Sequence, residues 1–340
     1  MVRSPTQGHE PSPRRKRLDA ILTTVCTVTG IAALLTQLVV WTRFAQSGPH
    51  QIVTYRDPGS TTFHWAKAVE IALVVITIAT IVVAARAAVR ARRFTTNAML
   101  LVGFASALWL DPMLNYFRPG FYFSQNLTNV DSWVRFLPGQ LAPYSENSIV
   151  PPVWIFGAYV GVFLPVTLAL SVLIKVLVRR WTFPHGMFCV FVVIVGAAML
   201  IDLVFEAVII RLGLMAYPAA PGAFALWAGT QFQLPLIELL GAGLFWTLLA
   251  FLVCSADQRG LTWVERGSRY IPGTAARAVV RQVALIGVVN ALFLLLPLGI
   301  VQSAVLDTDP FPPGIPQHLT GDWCGDNGQP YGPCTHDKRG

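Results

Sequence analysis

Phe188-Cys189-Val190-Phe191-Val192-Val193-Ile194-Val195-Gly196-Ala197-Ala198-Met199-Leu200-Ile201-Asp202-Leu203-Val204-Phe205-Glu206-Ala207-Val208-Ile209-Ile210 is apolar except for the carboxylates Asp202 and Glu206. A bilayer core about 30 Å thick is crossed by roughly 20 apolar residues in a helix. This stretch is therefore long enough to span. In hydrocarbon the backbone must satisfy its own hydrogen bonds, which selects a helix for a single segment. Taken from Pro184 to Ile210, it is the fifth of seven such segments. The others run from Leu18 to Trp41, Trp65 to Ala88, Thr95 to Leu110, Pro151 to Val178, Phe232 to Cys254 and Ala278 to Leu306. The expected fold class is all-α: a polytopic membrane bundle of about seven transmembrane helices, the third of them short.

Composition agrees. Of 340 residues 54% are hydrophobic and only 12% charged, about half the charged share of a soluble domain. Mean hydropathy is +0.57. The net charge of +8 does not point to nucleic acid, because the arginines sit in short loops between spans and not on one amphipathic face.

Lys and Arg cluster at Arg14 to Arg17, at Arg86 to Arg93, at Lys175 to Arg180 and at Arg259 to Arg281. With seven spans all four clusters fall on one side. The positive-inside rule makes that side cytoplasmic, with the N-terminus in and the C-terminus out. The expected organisation is a basic cytoplasmic tail over 1–17, a membrane domain over 18–306 and an extracytoplasmic Pro/Gly/Cys tail over 307–340. The first apolar run is too long for a signal-peptide core and reads as an uncleaved anchor in the plasma membrane. Cys26, Cys189 and Cys254 read as small buried hydrophobes. Cys324 and Cys334 in the outer tail are a disulfide candidate.

The connection over 111–150 includes Tyr116-Phe117-Arg118-Pro119-Gly120-Phe121-Tyr122-Phe123. A loop this long is either a lid or an interfacial aromatic belt. Asn126-Leu127-Thr128 matches a glycosylation acceptor.

Acids inside a membrane each ask for a reason. At 1.5 Å per residue, Glu70, Glu206 and Glu238 lie about 7 to 9 Å below the outer boundary and Asp202 roughly 13 Å below it. Asp111 closes the third span. All five fall in the outer half, which points to one polar cavity. Asp202 and Glu206 are four apart and share a helical face. Two such charges repel in an apolar setting unless a proton is kept or a cation is near, the condition for pairing an acid with a base. Asp111 and Asn115 share a face if the helix resumes after Pro112. There is no phosphate loop, HExxH pair or nucleophile elbow, and no metal site is expected.

The seven-span layout, Trp109-Leu110-Asp111-Pro112-Met113-Leu114-Asn115-Tyr116 and Asp202-Leu203-Val204-Phe205-Glu206 together resemble the AveC-type spirocyclase family of actinobacterial membrane proteins. The resemblance covers the membrane core from Leu18 to Leu306. It implies cofactor-independent spiroketal formation, in some members joined to dehydration, on a lipophilic polyketide or polyol. Asp202, Glu206 and Asp111 would then be catalytic, with Glu70, Asn115, Tyr116 and Glu238 as substrate-binding wall. The alternative function for the same carboxylates is a proton-coupled transporter or a non-catalytic membrane binding protein. The expected partners are a lipophilic small molecule and the lipid bilayer.

Overall fold

The computed structural model describes residues 12–48, 55–117, 120–139, 148–180, 186–218, 220, 222–300, 302 and 314–320. Among them are seven helices long and apolar enough to cross a membrane: α1 (Pro13–Ser47), α2 (Thr61–Ala91), α3 (Thr96–Asn115), α4 (Pro152–Arg180), α5 (Met187–Arg211), α6 (Leu236–Cys254) and α7 (Thr274–Leu298). The chain is a multi-pass α-helical protein. Three two-residue antiparallel pairs decorate one end: β1 (Tyr122–Phe123) with β4 (Met215–Ala216), β2 (Val130–Asp131) with β3 (Ile149–Val150), and β5 (Ala225–Leu226) with β6 (Leu234–Pro235). Cys324 and Cys334 lie outside the described residues.

α1 and α2 outrun their apolar segments at both ends, because helix formation continues past the interface where hydropathy stops, whereas α6 begins at Leu236, inside the expected Phe232. Ser12 caps α1 and Pro13 occupies its first turn, so Arg14 to Arg17 belong to the helix and not to a tail. Large apolar side chains such as Leu38 on α1, Val75 on α2 and Leu200 on α5 stand exposed. In a bundle with few charges this outward apolar belt is what lipid covers.

Two glycine contacts set the helix spacing. A Cβ on Gly287 of α7 would lie 1.9 Å from the Cys26 carbonyl oxygen of α1, and one on Gly30 would lie 2.1 Å from that of Val283. The backbones of α1 and α7 touch there. Gly157 and Gly161 of α4 do the same toward Leu73 and Thr77 of α2, where a Cβ would come within 2.7 Å. Such small-residue stripes let membrane helices approach without side chains between them.

The basic clusters gather at one end of the bundle. Arg93 donates to the Arg259 carbonyl at 3.3 Å, Gly267 N donates to Thr23 Oγ1 at 2.9 Å, and Arg281 pairs with Glu265 at 2.8 Å. The strand pairs and aromatic segments occupy the other end.

Candidate active site

Three prolines shape the site. Pro112 lacks an N–H, and the last turns of α3, Leu108–Asn115, tighten to 3-10 geometry around it. That turn is buried and carries Asp111. In α4 the stretch Gly157–Phe163 widens to a π-helical turn just before Pro165, and in α7 Leu294–Leu298 does so around Pro297. A proline ring clashes with the carbonyl four residues earlier, and a widened turn relieves the clash. The two widened turns lie against one cavity, which Tyr159, Phe163, Phe293 and Pro297 help to line.

Strand pairing supplies the outer wall. In the β1–β4 register Tyr122 faces Ala216 and Phe123 faces Met215. Because side chains alternate along a strand, Phe121 and Phe123 on one side and Met215 and Tyr217 on the other reach the cavity, while Tyr122 and Ala216 do not. The aromatic connection thus covers the end of the site away from the basic clusters.

Four carboxyl groups from three helices meet in this cavity: Asp111 of α3, Asp202 and Glu206 of α5, and Glu238 of α6. No Lys, Arg or His is among the lining residues. About 70 Å³ admits the centre of a water-sized sphere, several times the roughly 10 to 15 Å³ that one water needs. Aromatic rings form a continuous wall beside the acids. Phe163 packs on Trp246 and on Tyr159 with centroids 5.3 and 5.0 Å apart, and Tyr159 on Phe293 at 5.3 Å.

The polar contacts are few. Tyr159 donates its hydroxyl to Asp111 Oδ1 at 3.3 Å, and Tyr217 donates to Glu206 Oε2 at 3.0 Å. Asp111 Oδ2, Asp202 Oδ2, Glu238 Oε2 and the Trp246 indole nitrogen are buried with no hydrogen-bond partner among the described residues. Buried polar atoms are nearly always paired, so four orphans around one cavity mark it as a place where a ligand's hydroxyl and carbonyl groups would complete the bonding. Burial, then the nearby Glu206, Glu238 and Asp202 carboxyls, hold the Tyr217 phenol well above its ordinary range. Tyr217 is the hydrogen-bond donor to Glu206.

The other residues expected at the site stand elsewhere. Glu70 is buried at 6% exposure and accepts from Lys67 Nζ at 2.8 Å and from Thr128 N and Oγ1 at 2.6 and 3.0 Å. It anchors the aromatic connection to α2 and does not line the cavity. Asn115 Oδ1 accepts from Gly120 N and Phe121 N at 2.7 and 3.1 Å, fixing the turn that leads into β1. The Tyr116 hydroxyl donates to the Pro138 carbonyl. Asn126 is 1% exposed and accepts from Asp57 N at 3.1 Å, so the glycosylation triplet does not present its amide.

Tyr159, Tyr217 and Trp246 were not singled out by sequence reasoning. A tyrosine between two glycines in an otherwise apolar span was a signal for the first, and Pro165 and Pro297 were signals for the distorted turns.

Fold and cavity together define a multi-pass membrane protein with an acid-lined and aromatic-walled site. A family model described as spirocyclase AveC-like matches residues 91–317, and the chain belongs to that family. All the cavity residues named above fall inside the matched stretch, whereas α1, nearly all of α2 and Glu70 precede it. No curated protein and no solved structure matches the chain.

Proposed function

We propose that the protein is a membrane-embedded spirocyclase-type enzyme that closes rings on a lipophilic dihydroxy-ketone or related polyol by acid/base chemistry. The observation that carries this reading is the convergence of Asp111, Asp202, Glu206 and Glu238 on one aromatic-walled cavity, three of them with unpartnered oxygens. One substrate hydroxyl adds to the carbonyl to give a hemiketal. Proton donation to the hemiketal oxygen then releases water and leaves an oxocarbenium ion. The second hydroxyl attacks that ion and gives up its proton, so one water is lost overall.

The hydrogen bonds divide the roles. Glu206 presents an oxygen already accepting from Tyr217, as a base does, and is the acceptor of the second hydroxyl's proton. Asp202 has an oxygen with no donor beside it among the described residues and lines the same cavity, which suits the acid that protonates the departing oxygen. Asp111, oriented by Tyr159, and Glu238 supply negative field, and the Trp246, Phe163 and Tyr159 faces favour the transient cation. The chemistry needs no redox cofactor. The basic end of the bundle is assigned to the cytoplasm and the cavity to the outer half of the plasma membrane.

Metabolite profiling of a deletion strain tests this. The expected result is an accumulated lipophilic precursor one water heavier than the missing product, converted by the purified protein in detergent. Conversion or uptake only in sealed vesicles with a proton gradient would favour a transporter instead.

A further inference from the structure

At the basic end of the bundle lies a second recess of about 230 Å³, formed where α2, α3, α4, α6 and α7 end or begin. Its polar lining includes Arg93, Lys175, Arg259 and Arg281 together with Thr95, Thr96 and Asn97, the first turn of α3. No Asp or Glu lines it. Arg281 is neutralised from behind by Glu265, at 2.8 Å. Arg93 spends one nitrogen on the Arg259 carbonyl at 3.3 Å. The Lys175 ammonium and the Arg259 guanidinium make no hydrogen bond or ion pair among the described residues, so three of the four cations keep a net positive charge facing the recess.

Arg281 belongs to the joint with Glu265, whereas Arg93, Lys175 and Arg259 come from three separate segments and repel one another across the recess. Cations serving topology alone need only lie near the interface. The α3 amino terminus adds peptide N–H groups and the positive end of its dipole to the same concavity. Phe94, 67% exposed, and Val253 stand at its apolar rim. A ligand with a compact oxyanion and an apolar continuation complements both parts.

We infer that this recess is a phosphate-binding site that seats the phosphodiester headgroup of an anionic phospholipid, between Arg93, Lys175 and Arg259. It is separate from the acid-lined cavity and does not depend on the reaction assigned there. A lipid held at this point would brace α3, whose far end carries Asp111.

The test uses the full-length protein and measures retained lipid by native mass spectrometry, alongside thermal unfolding in detergent. Dioleoylphosphatidylglycerol is the probe, dioleoylphosphatidylcholine the zwitterionic reference and sodium phosphate the soluble arm. The expected result is preferential retention of the glycerol lipid. Lys175→Gln and Arg259→Gln should each weaken retention roughly fivefold, the effect of one cation near an anionic headgroup. Lys175→Arg should restore it. Arg86→Gln with Arg90→Gln, on α2 outside the lining, is the control. Stabilisation by millimolar phosphate, lost in the same variants, would support the oxyanion site while assigning it to a soluble ligand. Equal retention of both lipids without a phosphate effect, or equal loss in the α2 control, overturns the proposal.

Discussion

Glu265 and the cavity carboxyls are buried acids in the same protein with opposite surroundings. Glu265 is fully buried and completely answered. Its Oε1 meets Arg281 Nε and Nη2 at 2.9 and 2.8 Å, and its Oε2 accepts from Thr262 N, Thr262 Oγ1 and Thr96 Oγ1 at 3.0, 2.7 and 3.3 Å. It ties α3, the segment between α6 and α7, and α7 together. Asp202, also buried, and Glu238, half-buried, each carry a buried oxygen that no described residue answers. A buried charge with every lone pair satisfied is a structural joint, whereas an unsatisfied one is a cost the fold carries for another reason. Burial alone does not separate the two; the partner count does.

The strongest way to break this contrast is at Asp202 and Glu206. Asp202→Asn and Glu206→Gln keep shape and hydrogen-bonding capacity but remove the exchangeable proton and charge, and each should lower turnover by about 10² to 10⁴. Thermal unfolding should be unchanged or improved, since separating two close buried carboxyls from charge relieves repulsion. Product formation by the purified single and double variants checks it; activity within a few-fold of the parent in all three would remove the catalytic assignment.

Glu265→Gln should give the mirror image. It strands the Arg281 guanidinium, and breaking a buried pair costs about 3 to 5 kcal/mol. A lower unfolding temperature with unchanged turnover per folded molecule is expected, and a normal temperature with lost turnover would invert the comparison.

Gly287→Ala sharpens the same separation with an apolar change. Its Cβ collides with the Cys26 carbonyl, and forced overpacking of this kind costs about 1 to 3 kcal/mol. The helix pair α1 and α7 should loosen while the chemistry of the folded fraction survives, read as melting temperature against specific activity.

Tyr217→Phe deletes one donor to Glu206 and should lower turnover roughly tenfold, the scale of a hydrogen bond to a charged group. Stability should scarcely move, and full activity would show that Glu206 needs no positioning partner. Smallest of all should be Glu70→Gln, whose acceptor role toward Thr128 survives in the amide. Turnover is expected within a few-fold of the parent, and a loss as large as that of Asp202→Asn would draw Glu70 back into the site.

Seven spans, the gathering of basic residues at one end of the bundle and the shared face of Asp202 and Glu206 were all legible in the chain itself. These are local properties: hydrophobic length along one segment, charge at its ends, and a four-residue period that any α-helix imposes. The expectation of one polar cavity is met by Asp111, Asp202, Glu206 and Glu238, which line the same pocket. What the linear order did not contain is the rotation of each helix about its axis. Glu70 sits at the same estimated depth as Glu238 yet turns to Thr128, because Gly157 and Gly161 dock α4 on Leu73 and Thr77 of α2 and the aromatic connection offers Glu70 its partners there. Glu238 turns inward and lines the cavity with Tyr159, Trp246 and the α5 acids. Only the packed helices could decide this, because a side chain's direction depends on backbone contacts between segments far apart in sequence, and on π turns and a 3-10 turn that shift the helical phase by fractions of a turn.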